Sequence, residues 1–128
     1  MRLSLQSLSM SEELSNMHLS KAEFQEYGYK LVDWLAEYFE NVDEYQVLPS
    51  IEPGDIREML PDSAPEEAES MEEIIADLDR IVMPGMAHWQ HPGWYAFFPS
   101  GVSPVSAWGE FVAAGLATQG MMWSTAPS

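Results

Sequence analysis

From Ile81 to Ser128 the chain carries one charged side chain, Glu110, with histidine counted as neutral, and eight of its fifteen aromatic residues. Most of these rings fall in or beside the run Met83-Pro-Gly-Met-Ala-His-Trp-Gln-His-Pro-Gly-Trp-Tyr-Ala-Phe-Phe-Pro-Ser100. A stretch this apolar has to leave water, since each large apolar side chain gains about 1.5–3 kcal/mol on burial. The first 80 residues offer little to cover it. They hold 20 acidic and 5 basic residues, a balance of −15 within the total of −16. The chain is therefore expected to be one piece of a larger buried assembly.

A length of 128 residues sets a ceiling of one domain or part of one. The acidic balance argues against nucleic-acid and anionic-membrane partners, which attract basic surfaces. Its charges interleave with apolar positions at helical spacing, the pattern of a solvated helix surface. Cysteine is absent, so there is no disulfide framework, thiolate nucleophile or thiolate metal site, which fits a reducing cytoplasm. Ser and Gln separate the leucines of residues 1–10, and no signal peptide is expected. The apolar run from Phe111 to Trp123 is broken by Gly115, Thr118, Gln119 and Gly120, short of the roughly 18 residues a spanning helix needs. A cytoplasmic location with no membrane partner is the expectation.

Residues 1–17 read as a polar extension. Ser20-Lys-Ala-Glu23 is a capping box, followed by Phe24, Tyr27, Leu31, Trp34, Leu35, Tyr38, Phe39 and Val42 at spacings of three and four, which predicts a helix over about 20–43. Glu26 and Lys30 are ordered correctly for a pair one turn apart. Pro53 could open a short helix through Ile56 and Met59, ended by Pro61 and Pro65. Ser70-Met-Glu-Glu73 is a second capping box and predicts a helix over about 70–83, stopping at Pro84-Gly85. Pro and Gly then forbid a long element from Pro92 to Pro104. Ser103 or Ser106 could cap a last helix through Trp108, Phe111, Val112 and Leu116, ending near Gly120. No strand is predicted, so the fold expected here is mainly α.

His88 and His91 stand three apart, a spacing that can place two imidazoles on one metal. No cysteine exists and no acid lies between Arg80 and Glu110 to complete the shell, so both read as packed or stacking histidines, with no metal. Ser100 lacks the context of an activated nucleophile, and no phosphate-binding glycine loop occurs. The ring-rich run is either plain core or the wall of an aromatic pocket.

Three blocks, Leu48-Pro-Ser-Ile-Glu-Pro-Gly54, Ile81-Val-Met-Pro-Gly-Met-Ala-His-Trp-Gln-His-Pro92 and Tyr95-Ala-Phe-Phe-Pro-Ser100, resemble the N-terminal region of group II pyridoxal-phosphate-dependent amino-acid decarboxylases, with aromatic-L-amino-acid decarboxylase the nearest kind. The resemblance runs from about Ala22 to Pro127. It implies a complete protein of α/β, fold type I architecture, pyridoxal phosphate as cofactor, and a homodimer in which this segment wraps around the partner subunit. It divides the chain into the extension 1–17, a helical arm with the ring-rich loop at 18–102, and the start of the large domain at 103–128. Trp89, Phe97, Phe98 and Ser100 would touch substrate, while Gln119 and Met121 would approach the neighbouring subunit's site. Phe97 and Ser100 replace the Tyr and Thr of the aromatic-acid enzymes, and Met121 stands where a ring is expected.

The implied reaction removes CO2 from an L-amino acid, with an aromatic side chain favoured by the ring-rich wall. The cofactor's lysine is missing, because Lys21 and Lys30 are the chain's two lysines and neither lies in the family's cofactor motif. No catalytic residue is therefore expected in this chain, and alone it should be inactive. The alternative reading is a non-catalytic dimerisation or interaction module derived from such an enzyme.

Overall fold

Ser20 opens the first helix, α1 (Lys21–Glu40), by accepting from the Glu23 amide at 3.2 Å while the Glu23 carboxylate accepts from the Ser20 amide at 2.8 Å. These bonds hold the Glu23 carboxyl below its ordinary pKa. The computed structural model describes residues 19–98, 101–118 and 120–121. All of its regular elements are helical, as the sequence predicts, and no strand occurs among the described residues. The N-terminal extension, residues 1–17, lies outside them.

α1 ends earlier than the apolar spacing suggests. The Asn41 amide and side chain both donate to the Glu37 carbonyl at 3.0 Å, and the chain tightens into a 3-10 turn at Val42–Glu44. Competition from the Asn41 side chain for the last carbonyls gives a reason for the early stop. α2 (Asp55–Met59) begins after Gly54, whose φ of 116° suits glycine, so Pro53 precedes the cap and is not the first helical residue. It ends at Leu60, which Pro61 forces into extended backbone.

α3 (Met71–Asp77) carries the second capping box, with the Ser70 hydroxyl accepting from the Glu73 amide at 3.2 Å. Leu78–Val82 then widens into a π-helical turn, with the Met83 amide donating to the Leu78 carbonyl, and Met83–Gly85 forms a 3-10 turn. The single predicted helix over 70–83 is thus three pieces. Pro84 supplies the cause, because its ring cannot follow an α-helical path past the carbonyl four residues earlier.

The apolar positions of α1 divide between two partners. Tyr27, Lys30, Trp34 and Tyr38 face residues 72–88. Tyr27 donates to Glu72 at 3.2 Å, Lys30 to Glu72 at 3.1 Å and Trp34 Nε1 to Asp79 at 2.9 Å, while Tyr38 bonds His88 at 3.1 Å. Contacts advance together along both segments, so α3 runs parallel to α1, and the loops and α2 between them form the crossover. Lys30 also meets Glu26 at 3.1 Å, the pair expected from the sequence. The second row, Phe24, Gly28, Leu31, Leu35 and Phe39, lines a groove of about 770 Å³ closed on its other side by Trp108 and Phe111.

That far wall belongs to α4 (Pro104–Gly115), capped by Ser103, which accepts from the Ser106 amide at 3.1 Å. Phe24 and Phe111 stack at 6.3 Å and join the two helices. α4 stops five residues before Gly120. The Ala117 and Thr118 amides return to the Ala114 and Ala113 carbonyls at 3.0 and 3.3 Å, with Ala117 left-handed at φ 48°. This is the Schellman ending, and it normally uses glycine.

Among the described residues only Ile81 and His88 are buried. Phe24, Leu31, Trp108, Phe111 and Leu116 all stay exposed. Two outcomes are predicted. Ala117→Gly should relieve the left-handed cost and stabilise the fold by about 1 kcal/mol, read as a higher urea midpoint at unchanged m-value, whereas Ala117→Val should lower the midpoint. The isolated chain should also self-associate in sedimentation velocity and bind a dye for apolar surfaces; a clean monomer without dye binding contradicts this.

Candidate functional site

Beyond Gly85 the ring-rich loop folds back over the C-terminal end of α1. His88 is 4% exposed, and its amide donates to the Val47 carbonyl at 3.0 Å. Its ring lies 4.8 Å from Tyr45 and 5.7 Å from Tyr38, and the Tyr38 hydroxyl meets its Nδ1 at 3.1 Å. Burial, helped by the neighbouring His91, lowers the His88 pKa from its ordinary 6.5, because the charged imidazolium loses water. Burial also raises the Tyr38 pKa, with Tyr45 adding to the effect.

His91 is fixed differently. Its Nδ1 accepts from the Gly93 amide at 2.8 Å, so in the neutral ring Nε2 carries the proton and donates to the Asp43 carbonyl at 3.2 Å. Gly93 permits this approach, since a Cβ there would sit 3.0 Å from His91 Nδ1. Both histidines are therefore packed and hydrogen-bonded, and His88 also stacks on Tyr45. No group of three His, Asp or Glu able to hold a metal is found among the described residues.

Between and beyond the histidines stands the wall of rings. Trp89 stacks on Trp94 at 4.7 Å and on Phe97 at 6.0 Å, and is 44% exposed. Phe97 has a φ of 59°, a strained value for a bulky residue and one that costs of order 1–3 kcal/mol. Phe97 is 81% and Phe98 99% exposed. The structure thus brings Trp89 and Phe97 together and leaves Phe98 projecting free. Met121 is 80% exposed, just past the end of α4. Ser100 and Gln119 lie outside the described residues.

Sequence reasoning did not single out Trp94, Tyr38 or Tyr45 for this site. Trp94 sits in the same ring-rich run, which was the available signal, but Tyr38 reads simply as part of the α1 stripe. The stacked pair of indoles makes an aromatic face suited to another ring, and the buried Trp94 Nε1 has no hydrogen-bond partner. Such a face can bind and orient. It presents no acid, base or nucleophile of its own.

A helical arm carrying a cluster of stacked rings is the part of the fold that comparison with known proteins places in a family. Residues 53–128 match the pyridoxal-dependent decarboxylase conserved domain. L-tyrosine/L-DOPA decarboxylase 2 of Lophophora williamsii is 42% identical over 118 residues, which are 92% of this chain and 23% of that protein. Phenylacetaldehyde synthase of Petunia hybrida is 40% identical over 110 residues, 86% of this chain and 22% of that one. The crystal structure of Catharanthus roseus tryptophan decarboxylase in complex with L-tryptophan superposes with a TM-score of 0.76 at 37% identity, covering 85% of this chain and 24% of that one. The chain belongs to the pyridoxal-dependent decarboxylase family. It spans about a quarter of the length of these relatives.

One consequence concerns pH. Folded His88 binds its proton less readily than unfolded His88, so its contribution to stability is present above pH 6.5 and lost as the pH falls through that value toward the lower folded pKa. Thermal melts between about pH 8 and about pH 5 should show the midpoint falling with acid, and His88→Gln should flatten that fall. Equal slopes for the two proteins would contradict the assignment.

Proposed function

We propose that the chain is the N-terminal part of a pyridoxal-phosphate-dependent decarboxylase acting on an aromatic L-amino acid, and that it supplies part of the wall against the substrate's side chain. The observation that carries this reading is the Trp89–Trp94–Phe97 stack with Phe98 projecting beside it. A relative crystallised with L-tryptophan, and two whose names carry a tyrosine or phenylacetaldehyde side chain, support an aromatic substrate. One of those names denotes a decarboxylase and the other an aldehyde synthase, so the shared segment is assigned to side-chain recognition and not to the choice of product.

These residues do not themselves fit pyridoxal phosphate. A lysine that forms an imine must give up its proton. Lys30 is held charged, because hydrogen bonds to Glu72 and then Glu26 raise its pKa above 10.5. Lys21 is exposed at the start of α1, and no lysine or arginine lies in the ring-rich loop. The cofactor would be held by polypeptide other than these residues. It supplies an electron sink for the bond to CO2, while this chain's rings orient the substrate by stacking and exclude water from it. The exposed groove beside α1 supports assembly with a second subunit, the homodimer implied by the resemblance. Ser100 is proposed to touch substrate, and Gln119 and Met121 to approach the partner's site. No described helix is long and apolar enough to cross a membrane, and a cytoplasmic location is part of the proposal.

The test joins residues 18–128 to the body of the Catharanthus roseus tryptophan decarboxylase, in place of its matching segment. Phe98→Ala should lower kcat/KM by about tenfold, equivalent to about 1.4 kcal/mol, with fold and cofactor absorbance retained. Ser100→Ala should change it less. If Phe98→Ala unfolds the chimera or leaves kcat/KM unchanged, the loop is plain core and the site assignment fails.

A further inference from the structure

Each histidine flanking Trp89 is held by a group near the C-terminal end of α1. Tyr38, in the last turn of the helix, bonds the His88 ring, and the Asp43 carbonyl, in the turn that follows, accepts from the His91 ring. The connection continues through the backbone. The His91 amide donates to the His88 carbonyl at 3.0 Å, the Trp94 amide donates to the His91 carbonyl at 2.9 Å, and the Trp94 indole stacks on Trp89. A closed circuit therefore runs from α1 through both histidines to the two indoles and back along the chain to His88. These bonds fix the backbone from which both indoles project, and with it where Trp89 and Trp94 meet.

We propose that the end of α1 is the positioning element of the ring wall: Tyr38 acting through His88, and the Asp43 carbonyl acting through His91, set the stacking of Trp89 on Trp94 and hence the shape of the face that meets substrate. The inference deepens the proposed function and rests on it only for the identity of that face. Tyr38 and both histidines are positioning residues in this account.

Burial distinguishes this bond from the others along α1. His88 is nearly sealed from solvent, so water cannot replace a lost Tyr38 hydroxyl there. The Tyr27 hydroxyl reaches Glu72 at an exposed site, where water can replace it. Tyr27→Phe and Tyr38→Phe thus remove the same atom from the same helix, with different expected outcomes.

Two readouts test the proposal. Indoles 4.7 Å apart couple their transitions and give a paired circular-dichroism band, measurable in the full 128-residue chain with Trp94→Phe as the blank. Tyr38→Phe and His91→Phe should each diminish this band, and Tyr27→Phe should leave it unchanged. In the catalytic chimera, Tyr38→Phe should raise KM by about tenfold, the scale of one lost buried hydrogen bond, with a much smaller change in kcat. If Tyr38→Phe loses its helical signal, His91→Phe decides, because its bonds lie outside the buried cluster. An unchanged band in the deciding variant, or an equal loss in Tyr27→Phe, overturns the proposal. An inactive parent chimera with the band behaving as stated would remove the decarboxylase reading and leave the positioning role standing.

Discussion

The hydrogen bond between Tyr38 and His88 closes the contact between α1 and the segment from Met71 to Trp94 at the end where both approach the ring-rich loop. Toward the start of α1 the same face is joined through exposed bonds from Tyr27, Lys30 and Trp34, each of which competes with water and contributes modestly. At Tyr38 the balance changes. The imidazole is buried, three rings pack within 6 Å of one another, and the path of the chain through Trp89 depends on that packing.

This contact gives the arm an inside, though a small one. Ile81 and His88 are the described residues it buries, and the other face of α1 opens into an apolar groove. The composition after Arg80, with Glu110 as its one carboxylate and no lysine or arginine, has the same meaning at the level of sequence: its rings are made to be covered. In the proposed enzyme, substrate covers some of them and other polypeptide the rest. The strained Phe97 fits that division, since its left-handed backbone lets neighbouring rings take separate directions, one stacking on Trp89 and one projecting outward.

Features that depend on near neighbours were legible in the sequence. The boxes at Ser20 and Ser70, the Ser103 cap and the Glu26–Lys30 pair all formed as their spacing implies. Features that depend on distant partners were not. Hydropathy alone could not show that α1 divides its stripe between Asp79 and Phe111 neighbours, or that Pro84 would act back through a π-helical turn on Arg80. The ring wall was legible as a composition and through family resemblance, in Trp89 and Phe97. The histidines' role was not, because it depends on Gly93 letting the backbone approach His91 and on Asp43 lying across a fold that only tertiary structure brings together.

The central claim is that this chain shapes the substrate face and leaves the cofactor chemistry to other polypeptide. Its most direct test is to incubate the chain with pyridoxal phosphate and an aromatic amino acid, measure CO2, then reduce with borohydride and map the labelled peptides. The account predicts no CO2 release and no stoichiometric, site-specific adduct at Lys21 or Lys30. Stoichiometric labelling at either lysine together with CO2 release would contradict it.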